Sequence, residues 1–220
     1  MNLPIKNLKK DWNHDFHIHT NWSLDNLNGP DPEDYLKIAE ENEIQICFLD
    51  HYELIYKKNP PIPEGKTWIP IWPFSEEKWN IYIEKMEDLK SNYSFVYSGL
   101  EIDYYTYLED ELKDFINEYG NDFDLLVGSL HDIDICSPVT LEEDLIRLIK
   151  KYGSFENLID LYYNIEEQMI KSKLFKAIAH IDTIFRFCGK IVPKESDYGS
   201  NKNYSINKLS LNILKIKRRN

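Results

Sequence analysis

The fold class that the sequence predicts is α/β, with parallel strands curled toward a barrel, and three observations predict it. Short apolar runs alternate with amphipathic stretches along most of the 220 residues, the pattern of βα units. Five of the apolar runs end in residues able to hold a metal ion: His17 and His19, then Asp50 and His51, Glu101, His131, and His180 with Asp182. Residues so far apart in sequence meet around one pocket when parallel strands curl and their carboxyl ends converge. Finally, a 42% hydrophobic content is enough for one sizeable core.

The elements follow in order. Asp15-Phe16-His17-Ile18-His19-Thr20 reads as the first strand, on which His17 and His19 share a face because strand side chains alternate with a period of two. Asp31-Pro32-Glu33 opens the first helix, with Asp31 as N-cap, Pro32 at the first helical position, and Tyr35, Leu36 and Ala39 on the buried face. Ile44 to Asp50 reads as a strand buried on both sides. The Pro-rich stretch 59–73 reads as loop, and Ser75 as the N-cap of a helix whose Trp79, Tyr82, Ile83, Met86 and Leu89 form a core stripe. Phe95 to Glu101 is the next strand, and Leu112, Phe115, Ile116 and Tyr119 mark a helix stopped by Gly120. A strand from Phe123 to His131 follows. Thr140 and Glu143 are placed as a capping box before Leu145, Leu148 and Ile149, and Gly153 separates that helix from one built on Phe155, Leu158, Leu161, Ile165 and Met169. Lys176 to Ile181 is the last clear strand. Beyond Ile191 polar residues dominate, so the chain divides into a domain over 1–191 and a polar loop with one short terminal element over 192–220.

Charge and composition exclude several classes. A net charge of -12 repels a phosphate backbone over most of the surface, so nucleic acid is not the expected partner, although clustered metal ions would admit a small anion. The basic run Lys215 to Arg219 reads as a solvated tail. No apolar run is long enough to span a bilayer, and the amino terminus lacks a signal-peptide pattern. Cys47, Cys136 and Cys188 are widely spaced and odd in number, which suggests a reducing compartment, and the cytoplasm is the expected location. Carboxylate oxygen beside imidazole nitrogen, without a cysteine cluster, suits zinc, manganese or iron in a reactive rather than a structural site.

With these pieces in order, the chain resembles the PHP (polymerase and histidinol phosphatase) family of metal-dependent phosphoesterases, and within it the histidinol-phosphatase branch. The resemblance rests on Asp15-Phe16-His17-Ile18-His19-Thr20 with Ser23 and Asp25, Leu49-Asp50-His51, Gly99-Leu100-Glu101-Ile102-Asp103, Val127-Gly128-Ser129-Leu130-His131, and Ala179-His180-Ile181-Asp182. It implies a distorted (β/α)7 TIM-like barrel holding two or three divalent ions and releasing phosphate from a small phosphomonoester, with histidinol phosphate of histidine biosynthesis the expected substrate. It further implies that His17 and His19 hold one ion, that Glu101 bridges it to a second completed by His131 and His180, and that Asp25 and His51 share a third. Asp50 and Asp182 are expected to orient imidazoles or meet substrate, Asp103 to act similarly, and Arg186 to clamp the phosphate.

One departure stands out. The family pattern closes with a late Ser-Asp-x-His segment, and this chain has no histidine after His180. Ser196-Asp197-Tyr198-Gly199 echoes that segment, but Gly199 cannot ligate and the stretch reads as loop. The 40 residues after His180 fall short of two further βα units of about 30 residues each, so the barrel is expected to be incomplete, either from an early stop or in a shortened relative that covers its edge as a homo-oligomer. A metal-binding remnant without turnover, an amidohydrolase and a PHP-type nuclease are the alternatives, and Glu101 as bridging group disfavours the amidohydrolase.

Overall fold

A computed structural model describes residues 9, 11–53, 76–134 and 137–187. The 59–73 loop, Ser75, Cys136, Cys188, Asp197 and the 192–220 segment lie outside the described residues. The framework is a five-stranded, wholly parallel sheet. Its strands are β1 (Asn13–Ile18), β2 (Ile44–Tyr52), β3 (Val96–Asp103), β4 (Leu125–Ser129) and β7 (Ala177–Ile178), adjacent in the order β1-β2-β3-β4-β7. Each strand pairs with the one before it, as successive βα units do, and the curled sheet forms an open half-barrel. A short antiparallel pair, β5 (Asp132–Asp134) and β6 (Ser137–Pro138), stands beyond β4.

The side chains of the curled face change character along the strands. Cys47, Leu49, Tyr97, Leu125, Val127 and Ala179 form an apolar cluster against which Phe16 packs. On the same alternating positions, further toward the carboxyl ends, stand His51, Glu101, Asp103 and Ser129. The lower part of that face is thus core and the upper part is site.

β1 departs from simple alternation. Asp15 is paired with Ile46 and Ile18 with Phe48, so three steps on β1 match two on β2, a β-bulge. The extra residue lets Phe16 turn to Tyr97 (ring centroids 5.7 Å apart) while the adjacent His17 reaches Glu101 on the same side of the sheet. Regular alternation would have sent one of these two neighbours to the opposite face.

The helices cover the other face. In α1 (Pro32–Glu41) Asp31 is the N-cap, Pro32 occupies the first turn, and Asp34 accepts the Asp31 N–H at 2.9 Å. Pro32, Leu36 and Ala39 are buried and Tyr35 is half-buried. α2 (Glu76–Asn92) buries Trp79, Tyr82, Met86 and Leu89 of the expected stripe and leaves Ile83 half-buried. α3 (Glu109–Tyr119) stops at Gly120 and supplies Phe115, which stacks on Tyr52 at 4.2 Å, while Trp79 lies 5.8 Å from Phe115 and 5.4 Å from Tyr119. This aromatic cluster ties both helices to β2, and each such pair adds about 0.5–1.5 kcal/mol beyond its buried area.

Some boundaries differ from expectation. β4 ends at Ser129, because the chain turns into β5, and the last strand shrinks to two residues. α4 (Glu142–Tyr152) starts one residue later than a Thr140 cap requires. Leu141 is its N-cap and makes no side-chain capping bond. Gly153, at φ +86°, ends α4 in the left-handed region that glycine tolerates, and Ser154 caps α5 (Phe155–Ser172) by accepting the Asn157 N–H at 3.1 Å.

The buried face of α5 is Leu158, Ile159, Tyr162, Glu166 and Met169, rotated from the expected one so that Leu161 and Ile165 are only half-buried. Glu166 is 3% exposed and neither carboxyl oxygen has a hydrogen-bond partner. Burial lifts this carboxyl to about 7, against smaller opposing influences from the nearby Tyr162 hydroxyl, which stands outside hydrogen-bonding geometry, and from His131. A carboxyl whose folded pKa is raised stabilises the fold fully below its unfolded pKa, and the benefit is lost as pH rises through about 7. Glu166→Gln is therefore expected to be more stable than the parent at pH 8, by about 3–4 kcal/mol on a scale of ~1.4 kcal/mol per pKa unit, and equal to it at pH 4. Urea unfolding at the two pH values measures this.

A second expectation concerns β3. A Cβ on Gly99 would lie 2.3 Å from the backbone oxygen of Leu125, so Gly99→Ala must push β4 away from β3, and a clear fall in melting temperature is expected on thermal unfolding.

Candidate metal centre

The centre is organised on one carboxylate. Glu101 is fully buried at the end of β3, and imidazoles from all four other strands of the sheet surround it. One oxygen, Oε2, lies 2.9 Å from His17 Nε2, 3.2 Å from His19 Nε2 and 3.8 Å from His51 Nδ1. The other, Oε1, lies 2.7 Å from His180 Nε2 and 3.4 Å from His131 Nε2. The expected division into a His17–His19 half and a His131–His180 half is thus a division between two carboxylate oxygens. Asp25 stands apart from Glu101, 3.6 Å from His19 Nδ1 and 3.6 Å from His51 Nε2.

Local structure explains how each ring arrives. His17 and His19 stack at 5.0 Å at the end of the bulged β1, and His51 is level with Glu101 in the β2–β3 register. The His19 carbonyl accepts from Asn26 Nδ2 at 2.9 Å and from the Tyr35 hydroxyl at 3.2 Å, which fixes the backbone where the strand ends. His131 follows β4, with its Nδ1 2.6 Å from Asp103 Oδ1, and Asp103 also accepts from the Ser129 hydroxyl at 2.9 Å. A carboxylate behind a ligating ring sets its orientation and raises its basicity. Asp103 stands where a group orienting the His131 ring would stand.

Asp50 is enclosed by donors from the chain itself. It is 1% exposed and accepts from the Thr20 N–H at 2.6 Å, the Thr20 hydroxyl at 2.9 Å, the Ser23 hydroxyl at 3.0 Å and the Tyr82 hydroxyl at 3.2 Å. These bonds tie the turn after β1 to β2. Asp182 and Arg186 are exposed beyond β7 and join none of the ligand groups, so an orienting role for Asp182 has no support in the geometry. Thr20 and Ser23 belong to the motif of the first strand, but their tie to Asp50 is a contact across about thirty residues that spacing alone does not reveal.

The electrostatics are those of a cation site. Burial disfavours the Glu101 charge, yet His17, His180 and His19 outweigh it and hold the carboxyl far below its usual range. Asp25 is likewise depressed, the His19 and His51 rings overcoming its partial burial. Burial would lower His19, but Asp25 and Glu101 raise it to about 9, and Asp103 and Glu101 raise His131 to about 10 against its burial. Burial raises Asp50, opposed by its donors from Thr20, Ser23 and Tyr82.

The residues fit divalent ions. Three ligand groups each place their atoms within 4.8 Å of one another: His17, His19 and Glu101; His19, Asp25 and His51; and His51, Glu101 and His131. Among the described residues His51 Nδ1 is buried without a hydrogen-bond partner, so no hydrogen bond competes for it with an ion. Nitrogen and oxygen donors in this mixture match zinc, manganese or iron.

The family model described as the PHP domain matches residues 15–217. The histidinol-phosphatase of Bacillus subtilis is 26% identical over 184 residues, which is 79% of this chain and 67% of that relative. A solved structure from Listeria monocytogenes, put forward as a histidinol phosphatase, superposes with a TM-score of 0.68 at 26% identity, covering 84% of this chain and 73% of that one.

Two expectations follow from the geometry. Glu101→Gln removes the charge shared by both halves and is expected to weaken zinc binding at least about 100-fold, whereas His14→Gln, altering the exposed histidine outside the cluster, leaves it unchanged; elemental analysis after gel filtration measures both. Rings whose pKa is raised hold their protons until pH passes 9–10, and metal must displace them. Zinc binding should therefore tighten from pH 6 to 9 and release protons at pH 7, read by calorimetry in buffers of different ionisation enthalpy.

Proposed function

This chain belongs to the PHP domain family, and from that membership we propose that it is a metal-dependent phosphomonoesterase of histidinol-phosphatase type, acting on histidinol phosphate or a close relative. The observation that carries the reading is the single buried carboxylate whose two oxygens each face their own set of imidazoles. His17, His19 and Glu101 would hold one divalent ion, Glu101, His131 and His180 a second, and Asp25 with His51 a third. When bound, such ions acidify water toward hydroxide near neutral pH and offset the charge of the phosphoryl oxygens.

The chain's own groups supply the rest. Glu101 stays ionised across the physiological range, held so by the imidazoles around it. Asp103 holds the His131 ring by its Nδ1, leaving Nε2 directed at Glu101. Asp50 secures the turn that carries His19 to Ser23. Arg186, exposed beyond β7, is a cation available to a phosphate, and a guanidinium can pair two phosphate oxygens at once. The small anionic substrate is compatible with a net charge of -12 because the ions reverse the local field. Family membership favours this reading over the amidohydrolase alternative.

The test is direct. The purified chain loaded with manganese or zinc is expected to release phosphate from L-histidinol phosphate faster than from p-nitrophenyl phosphate, and to leave single-stranded DNA intact. Metal-loaded protein that releases no phosphate from either ester would overturn the reading. Arg186→Ala is expected to raise the KM for histidinol phosphate several-fold with metal content unchanged.

A further inference from the structure

The Ser23 hydroxyl, fully buried, stands among three polar groups, one after β1 and two on adjacent residues of β2. It accepts the His51 N–H at 2.9 Å, donates to Asp50 Oδ1 at 3.0 Å, and lies 3.2 Å from His19 Nδ1. A hydroxyl has one hydrogen and two lone pairs. The backbone amide can only donate, so it takes one lone pair. The hydrogen goes to the Asp50 carboxylate, whose other neighbours, an amide and two more hydroxyls, are also directed at it as donors. One lone pair then remains, and a lone pair facing an imidazole nitrogen requires that nitrogen to carry the proton.

We propose that Ser23 acts as a positioning residue that holds His19 in the tautomer protonated at Nδ1, and thereby commits His19 to the Glu101 half of the centre through Nε2. The consequence decides a question the ligand geometry leaves open. His19 stands in two groups, one with His17 and Glu101 and one with Asp25 and His51. Its Nδ1 is the nitrogen that faces Asp25, at 3.6 Å, and its Nε2 the one that faces Glu101, at 3.2 Å. With Nδ1 carrying a proton donated to Ser23, the group at Asp25 is left to Asp25 and His51. The same hydroxyl receives the His51 amide, which ties the end of β2 to the turn that carries His19.

This inference rests on the metal-centre reading, and the experiment separates the two. Protein labelled with 15N-histidine and loaded with zinc is observed by long-range 1H–15N correlation, which distinguishes a protonated, a free and a zinc-bound ring nitrogen. His19 is expected to show Nδ1 protonated and Nε2 on zinc. In Ser23→Ala a fraction of His19 should appear with Nδ1 on zinc, and the zinc Kd should rise about tenfold, the scale of losing an orienting partner. Zinc on Nδ1 in the parent chain, or an unchanged His19 signature in Ser23→Ala, overturns the inference alone. Failure of the parent to bind zinc overturns it together with the metal-centre reading, while the expected tautomer without phosphate release overturns only the phosphatase reading.

Discussion

A carboxylate with no exposure at the end of a central strand is the constraint on which the rest of this structure depends. Removing an isolated carboxylate from water costs several kcal/mol even after relaxation, so Glu101 is tolerated only with positive charge or strong donors around it. Five imidazoles from four strands provide that surrounding. Each of those strands must therefore end at the same level of the sheet, and the β2–β3 and β3–β4 registers place His51 opposite Glu101 and Ser129 opposite Asp103. The fold and the centre are one arrangement seen from two ends, with an apolar cluster on the lower part of the curled face and ligands on the upper part.

The outer ring of contacts translates this level into ring orientation. Asp103 and Ser129 act on His131, and Asp50, through Ser23 and Thr20, acts on the turn that carries His19. Both carboxylates are buried. They differ in their partners: Asp103 faces a basic ring and is held ionised by it against its burial, whereas Asp50 is met only by neutral donors and its pKa rises. Two buried aspartates on neighbouring strands thus have different surroundings, one a basic ring and the other only neutral donors.

Glu166 shows the same physics without compensation. It is as buried as Asp103 but has neither a basic ring in contact nor a hydrogen-bond donor, and its carboxyl responds by holding its proton to about 7. Its position on the buried face of α5 costs stability as pH rises, whereas the depressed pKa of Glu101 keeps that carboxylate charged.

The sequence by itself determined the α/β class and pointed to the imidazoles that the structure gathers around Glu101. His17 and His19 were legible because strand alternation is a local property, and His51, Glu101, His131 and His180 because each closes an apolar run. Trp79, Tyr82, Met86 and Leu89 were legible for the matching reason in a helix. Only the tertiary structure decided the bulge that turns Phe16 and His17 to one side, the later start of α4, the rotation of α5 that buries Glu166, and the meeting of Ser23 with Asp50 and the His51 amide. These depend on how one strand registers against its neighbour and on which donors face which acceptors across it. Spacing along a single chain carries the period of an element, whereas the pairing of hydrogen-bonding groups exists only once two elements are brought together.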